Sequence, residues 1–126
     1  MIKGIESILL SSENPQALGE FYSQKVGLKQ TMEMEIGEKG EKGFAFEMKG
    51  CSLYIMHHSK VSGKSKGAER IMFNLETNNI EGDVKKLDKA GVKKVQDTYH
   101  MENYGYIATF EDIDGNYFQL VQVRAS

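Results

Sequence analysis

Lys25-Val26-Gly27-Leu28-Lys29 and Lys89-Ala90-Gly91-Val92-Lys93 are two versions of one phrase, about half a chain length apart in 126 residues. In each the glycine stands where a helix must stop, because glycine enters the left-handed conformation that closes a helix without a Cβ penalty. Upstream of the first phrase lies Asn14-Pro15. Asparagine caps an orphan N–H, and proline at the first helical position loses no hydrogen bond. Leu18, Phe21, Tyr22 and Lys25 follow at i, i+3, i+4 and i+7, an apolar stripe flanked by the lysine stem. Upstream of the second phrase, Asn78 and Glu81 have capping-box spacing. Ile80, Val84 and Leu87 then predict a helix to about Ala90.

Around each helix the pattern changes to period two, the mark of half-buried strands. Strands are predicted over residues 5–11, 29–36, 44–48 and 52–56, then over 70–77, 92–98, 104–111 and 117–123. Gly37–Gly43 reads as a charged hairpin loop, and His58–Ala68 as the longest irregular stretch. Asp112-Ile113-Asp114-Gly115-Asn116 is a turn. Both halves thus read strand, helix, three strands. The expectation is an α+β domain of two βαβββ modules, residues 1–64 and 65–126, whose strands form a curved mixed sheet with the helices on its outer face.

Alternation separates the two faces of that sheet. Ile8, Leu10, Leu53, Ile55, Ile71, Phe73, Leu75, Phe118 and Leu120 are assigned to the helix side. Ser7, Leu9, Ser11, Tyr54, Met56, Arg70, Met72, Asn74, Glu76, Tyr117, Gln119 and Val121 fall on the other. Its mixture of polar, aromatic and thioether groups suits a small-molecule surface. Phe44 and Phe46 are divided evenly between core and pocket. The expected ligand-binding residues are Ser7, Tyr54, Met56, Arg70, Met72, Tyr104, Tyr106, Tyr117 and Gln119.

Bulk properties exclude several classes. The chain is 40% hydrophobic and 27% charged with one proline, which is not a disordered profile. A net charge of −2 leaves no footprint for nucleic acid. Lys60, Lys64, Lys66 and Arg70 read as a solvated loop. The single cysteine, Cys51, forms no intrachain disulfide and fits a reducing compartment. Neither a leader sequence nor the roughly 20 apolar residues of a membrane span is visible, so a cytoplasmic protein without a membrane partner is expected.

Two stretches carry a family resemblance. Asn14-Pro15 through Phe21-Tyr22 to Gly27-Leu28, and Phe110-Glu111-Asp112-Ile113-Asp114-Gly115-Asn116-Tyr117-Phe118-Gln119-Leu120, together with the doubled βαβββ order, resemble the vicinal oxygen chelate superfamily of glyoxalase I, bleomycin-resistance proteins and extradiol dioxygenases. The resemblance implies a concave sheet face. In the family's enzymes that face holds one divalent metal, with ligands on the first and fourth strands of each module. Here those positions carry Ser7, Tyr54, Met72 (or Arg70) and Gln119. Such sites want histidine or carboxylate, and of these four only Gln119 offers a weak donor. No metal and no cofactor are therefore expected. His57, His58 and His100 are the only histidines, and neighbouring strand residues point to opposite faces.

The resemblance then implies a bleomycin-resistance-like protein that binds a drug-like molecule, most often as a homodimer. The alternative is a metal-dependent lyase or isomerase of the glyoxalase I type, or a dioxygenase-like enzyme. In it Glu47, Glu76 or Glu111 would move the proton.

Overall fold

Asn14 opens the first helix by accepting a bond from the Ala17 N–H at 3.1 Å, with Pro15 in the first turn. In the computed structural model, which describes residues 1–36 and 39–124, this helix is α1, Pro15–Glu20. It continues as π-type turns over Phe21–Val26 and ends at Gly27, φ 88°, whose N–H reaches back to the Tyr22 carbonyl. Leu18 and Tyr22 are fully buried, and Phe21 meets Tyr22 edge-on at 5.2 Å. Gly19 lets the helix come close to its sheet, since a Cβ there would stand 3.2 Å from the Phe44 ring.

That sheet is built from β1 (Ser7–Ser12), β2 (Met32–Ile36), β3 (Glu41–Phe46) and β4 (Ser52–His57), in the order β1-β4-β3-β2. Only β1 and β4 run parallel, as a crossover through the helix requires. Leu53 and Ile55 of β4 share the helix side with Phe44 and Phe46, and all four are buried. The two phenylalanines, divided between core and pocket on sequence grounds, are therefore core. The predicted second strand begins three residues late, at Met32, and Met48 lies past the end of β3. Of the predicted hairpin loop, Gly37 and Glu38 lie outside the described residues, while Glu41–Gly43 belong to β3. These elements make one compact unit, Met1–Gly63.

The second unit, Lys64–Ser126, repeats the arrangement with β5 (Phe73–Glu76), α2 (Ile80–Lys89), β6 (Lys93–Met101), β7 (Gly105–Glu111) and β8 (Tyr117–Val123), ordered β5-β8-β7-β6. Again only the first and last strands pair in parallel. The cap of α2 is Asn79, one residue after the expected Asn78. Its side chain accepts from the Gly82 N–H at 3.1 Å. Thr77 explains the shift: its hydroxyl oxygen accepts from the Asn79 N–H at 3.0 Å and its hydrogen goes to Asp83. Glu81 and Asp83 in the first turn, with Lys86 and Lys89 in the last, follow the helix dipole.

Ile80, Val84 and Leu87 are buried over a stack of three rings. Phe118 lies in register with Phe73 on one side and Phe110 on the other, at 6.2 and 5.8 Å. Arg70, Ile71 and Met72 are not in the strand predicted for them. Continued by two residues, the β5–β8 register would set Ile71 opposite Asn116, which is held in the turn by Asp112. Ile71 is accordingly 79% exposed, not core. Buried Asp112 organises that turn by accepting from the Asp114 and Asn116 N–H groups at 2.8 and 3.0 Å. The strand predicted over residues 92–98 extends to Met101, with register shifts between Lys94 and Gln96 and between Gln96 and Tyr99. No helix among the described residues is long and apolar enough to cross a membrane.

Candidate functional site

Each sheet has one face turned away from its helix, and strand register fixes what stands there. In the first unit Ser7, Leu9 and Ser11 of β1 lie opposite Ser52, Tyr54 and Met56 of β4. Ala45 continues the row through β3, and Met32 continues it through β2. Ser7, Tyr54 and Met56, three predicted site residues, are thus together on this face and half-buried. The Tyr54 phenol donates to the Glu6 carboxylate at 3.2 Å. Glu6, first by its charge and then by this bond, raises the phenol's pKa above its ordinary value; burial and Glu47 add to the effect. A metal takes tyrosine as the phenolate, so this neighbour opposes ligation at Tyr54.

In the second unit the open face carries Asn74 and Glu76 of β5. Tyr117, Gln119 and Val121 of β8 stand beside them, with Ile107, Thr109 and Glu111 of β7. Here the polar groups are linked. The Thr109 hydroxyl donates to Gln119 Oε1 at 2.7 Å. Gln119 Nε2 donates to Asn74 Oδ1 at 2.8 Å, and Asn74 Nδ2 to the Tyr104 hydroxyl oxygen at 3.3 Å. Thr109 is buried, Gln119 and Tyr104 half-buried and Asn74 exposed, so the chain runs from interior to rim.

The six predicted residues of this unit take different places. Gln119 and Tyr104 are members of the chain, and Tyr117 faces the same way opposite Glu111. Met72, 41% exposed, precedes β5, and Arg70 lies in the turn before it. Tyr106 is not on the open face. It pairs with Gln122 on the helix side, its ring 4.9 Å from that of His100. There it lines a cavity of about 610 Å³ with Asn78, Val84 and the ion-paired Lys94. Alternation along β7 puts Tyr106 with Ala108 and Phe110, on the helix side. Asn74 and Thr109 were missed as site residues. The signal available was a carboxamide and a hydroxyl each set between two apolar neighbours, Phe73 and Leu75 for Asn74, Ala108 and Phe110 for Thr109.

The four positions that would hold a metal do not fit one. Ser7 and Met72 are poor donors for such ions, Tyr54 is bound to Glu6, and Gln119 has its oxygen on Thr109 and its nitrogen on Asn74. Among the described residues no group of three or more His, Cys, Asp or Glu is placed to hold an ion. His57 ends β4 and His58 lies beyond it, where its Nδ1 accepts from the Lys60 N–H at 3.1 Å.

The model of the Glyoxalase/Bleomycin resistance protein/Dioxygenase superfamily matches residues 4–120. Among solved structures, the chain is similar to TnmS3, an antibiotic binding protein from Streptomyces sp. CB03234, with 21% identity over 97% of each chain and a TM-score of 0.77. A glyoxalase family protein from Enterococcus faecalis is 20% identical over 96% of this chain and 98% of its own, TM-score 0.74. The genomically encoded fosfomycin resistance protein FosX from Listeria monocytogenes is 18% identical over 98% and 95%, TM-score 0.71. Among curated proteins no sequence matches.

Proposed function

The chain belongs to the glyoxalase/bleomycin resistance protein/dioxygenase superfamily, and from that premise we propose that it binds a small molecule on its open sheet faces without a metal. One observation carries the reading. The residues at the family's ligand positions are poor donors or have their polar atoms engaged by neighbours, Tyr54 by Glu6 and Gln119 by Thr109 and Asn74. What remains accessible around them is Leu9, Met56 and Met72, with tyrosines at the margins. Aromatic rings stack flat ligands, and thioethers adapt to irregular ones. The antibiotic binding protein among the similar folds supports the same direction.

A homodimer fits the exposed Leu9, Met32, Tyr99 and Met101, and light scattering that reports a monomer removes that part. The free Cys51 fits a reducing, cytoplasmic setting.

Two measurements test the reading. Protein purified without chelator should contain no stoichiometric Zn²⁺, Ni²⁺ or Fe²⁺; such a metal would overturn the metal-free reading. Thermal-shift screening with drug-like and metabolite panels should find a stabilising compound, worth about 2.7 kcal/mol at a hundred times its Kd. Tyr54→Ala or Gln119→Ala should lose the shift. A shift unchanged in both places binding elsewhere.

A further inference from the structure

We propose that Tyr104 sets which ligands the second unit's open face accepts, by offering its hydroxyl hydrogen to a neutral oxygen acceptor such as an aryl ketone. The proposal rests on the reading of that face as a binding surface.

The argument is one of direction. Thr109 has a single hydroxyl hydrogen, and it is spent on Gln119 Oε1. That bond turns the Gln119 amide nitrogen toward Asn74 Oδ1, and this in turn directs Asn74 Nδ2 at the Tyr104 oxygen. The inner end of the chain is shielded from water, since Thr109 is 6% exposed. Each bond polarises the next. At the outer end the Tyr104 oxygen accepts, and its own hydrogen meets no acceptor among the described residues. The face therefore ends in a donor.

The surroundings choose the kind of acceptor. No lysine or arginine stands on the open side of β5, β7 or β8, and the carboxylates Glu76 and Glu111 are on that side. The cation in register there, Lys93 of β6 opposite Glu111, is paired with that carboxylate at 3.5 Å, which leaves Glu76 to repel an anion. Ile107 and Val121 beside the polar chain are buried, while Tyr99 and Met101 of β6, opposite Ile107 and Gly105, are 39% and 44% exposed and supply the apolar surface a ligand can reach. A flat, neutral, carbonyl-bearing ring matches this lining.

The probes are 1-indanone and indane, which differ by the carbonyl oxygen, titrated into the isotope-labelled full chain and followed by NMR. The readout is the ratio of their dissociation constants. Tyr104→Phe keeps the ring and should shift the ratio against the ketone by about three- to tenfold. Thr109→Val releases the inner end and should do the same, while Thr109→Ser should keep the wild-type ratio. Asn74→Asp, at an exposed position, gives the Tyr104 hydrogen an internal acceptor and should also abolish the ketone preference, so the test survives if Thr109→Val does not fold. A wild-type ratio in Tyr104→Phe, or in both Thr109→Val and Asn74→Asp, overturns the proposal while the binding reading stands. Binding of neither probe to the wild-type chain removes the binding reading for this face, and the inference with it.

Discussion

On the first unit's open face the polar side chains stand apart. Ser7, Ser11 and Ser52 share no side-chain hydrogen bond among the described residues, and Tyr54 turns outward to the exposed Glu6. On the second, Thr109, Gln119, Asn74 and Tyr104 hold one another in sequence. The strand orders are the same, β1-β4-β3-β2 and β5-β8-β7-β6. The contrast teaches that a fold specifies where a face lies but not how stiff its chemistry is. A linked face has a fixed hydrogen-bond polarity, and an unlinked one can turn its hydroxyls to suit what arrives.

The contrast breaks most severely at Gly105. Its φ is 144°, and a Cβ there would stand 2.1 Å from the Gln122 carbonyl oxygen. Gly105→Ala should separate β7 from β8 beside Tyr104 and cost about 3 kcal/mol in denaturant unfolding. An unchanged midpoint would mean that the strands yield easily. Gln119→Leu tests the linkage itself: it leaves the buried Thr109 hydroxyl without its partner, which should cost about 1–3 kcal/mol. The matching change on the other face, Tyr54→Phe, should leave the midpoint near neutral pH where it was. Equal losses in the two variants would erase the distinction.

The smallest effect is a titration. Because Glu6 raises the Tyr54 pKa in the folded chain, the phenol's contribution to stability is complete below about pH 10, its unfolded value, and is lost as pH rises through the folded value. Tyrosinate absorbance, taken as the difference from Tyr54→Phe, should show Tyr54 ionising late. Glu6→Gln should bring it back to the ordinary range, and a late ionisation that persists in Glu6→Gln would exclude Glu6 as the cause.

Much of this was legible in the amino-acid order. The glycines that close both helices, the Asp112–Asn116 turn and the strand alternation are local signals, each decided by a few neighbours. What failed depended on partners distant in the chain. Ile71 has a strand residue's apolar character, but the stretch it would pair with is held in a turn by Asp112. Asn78 has cap spacing, but Thr77 with Asp83 moves the cap to Asn79. At the site, family spacing brought Ser7 and Tyr54 onto one face and found Gln119 on the other. It could not show that Gln119 is engaged at both ends, because Asn74 and Thr109 become its neighbours only through the β5–β8 and β7–β8 registers.

The irregular pairing of β6 has its own consequence. This nine-residue strand is the outer edge of its sheet, and nearly all of it is exposed. A long straight edge invites a strand from another molecule, and repetition of that event makes fibres. The pairing of β6 slips twice, between Lys94 and Gln96 and between Gln96 and Tyr99, with two lysines at its start. Slips of this kind twist a strand away from a flat partner. Strand-to-strand association between copies through this edge, and with it open-ended polymerisation, is discouraged.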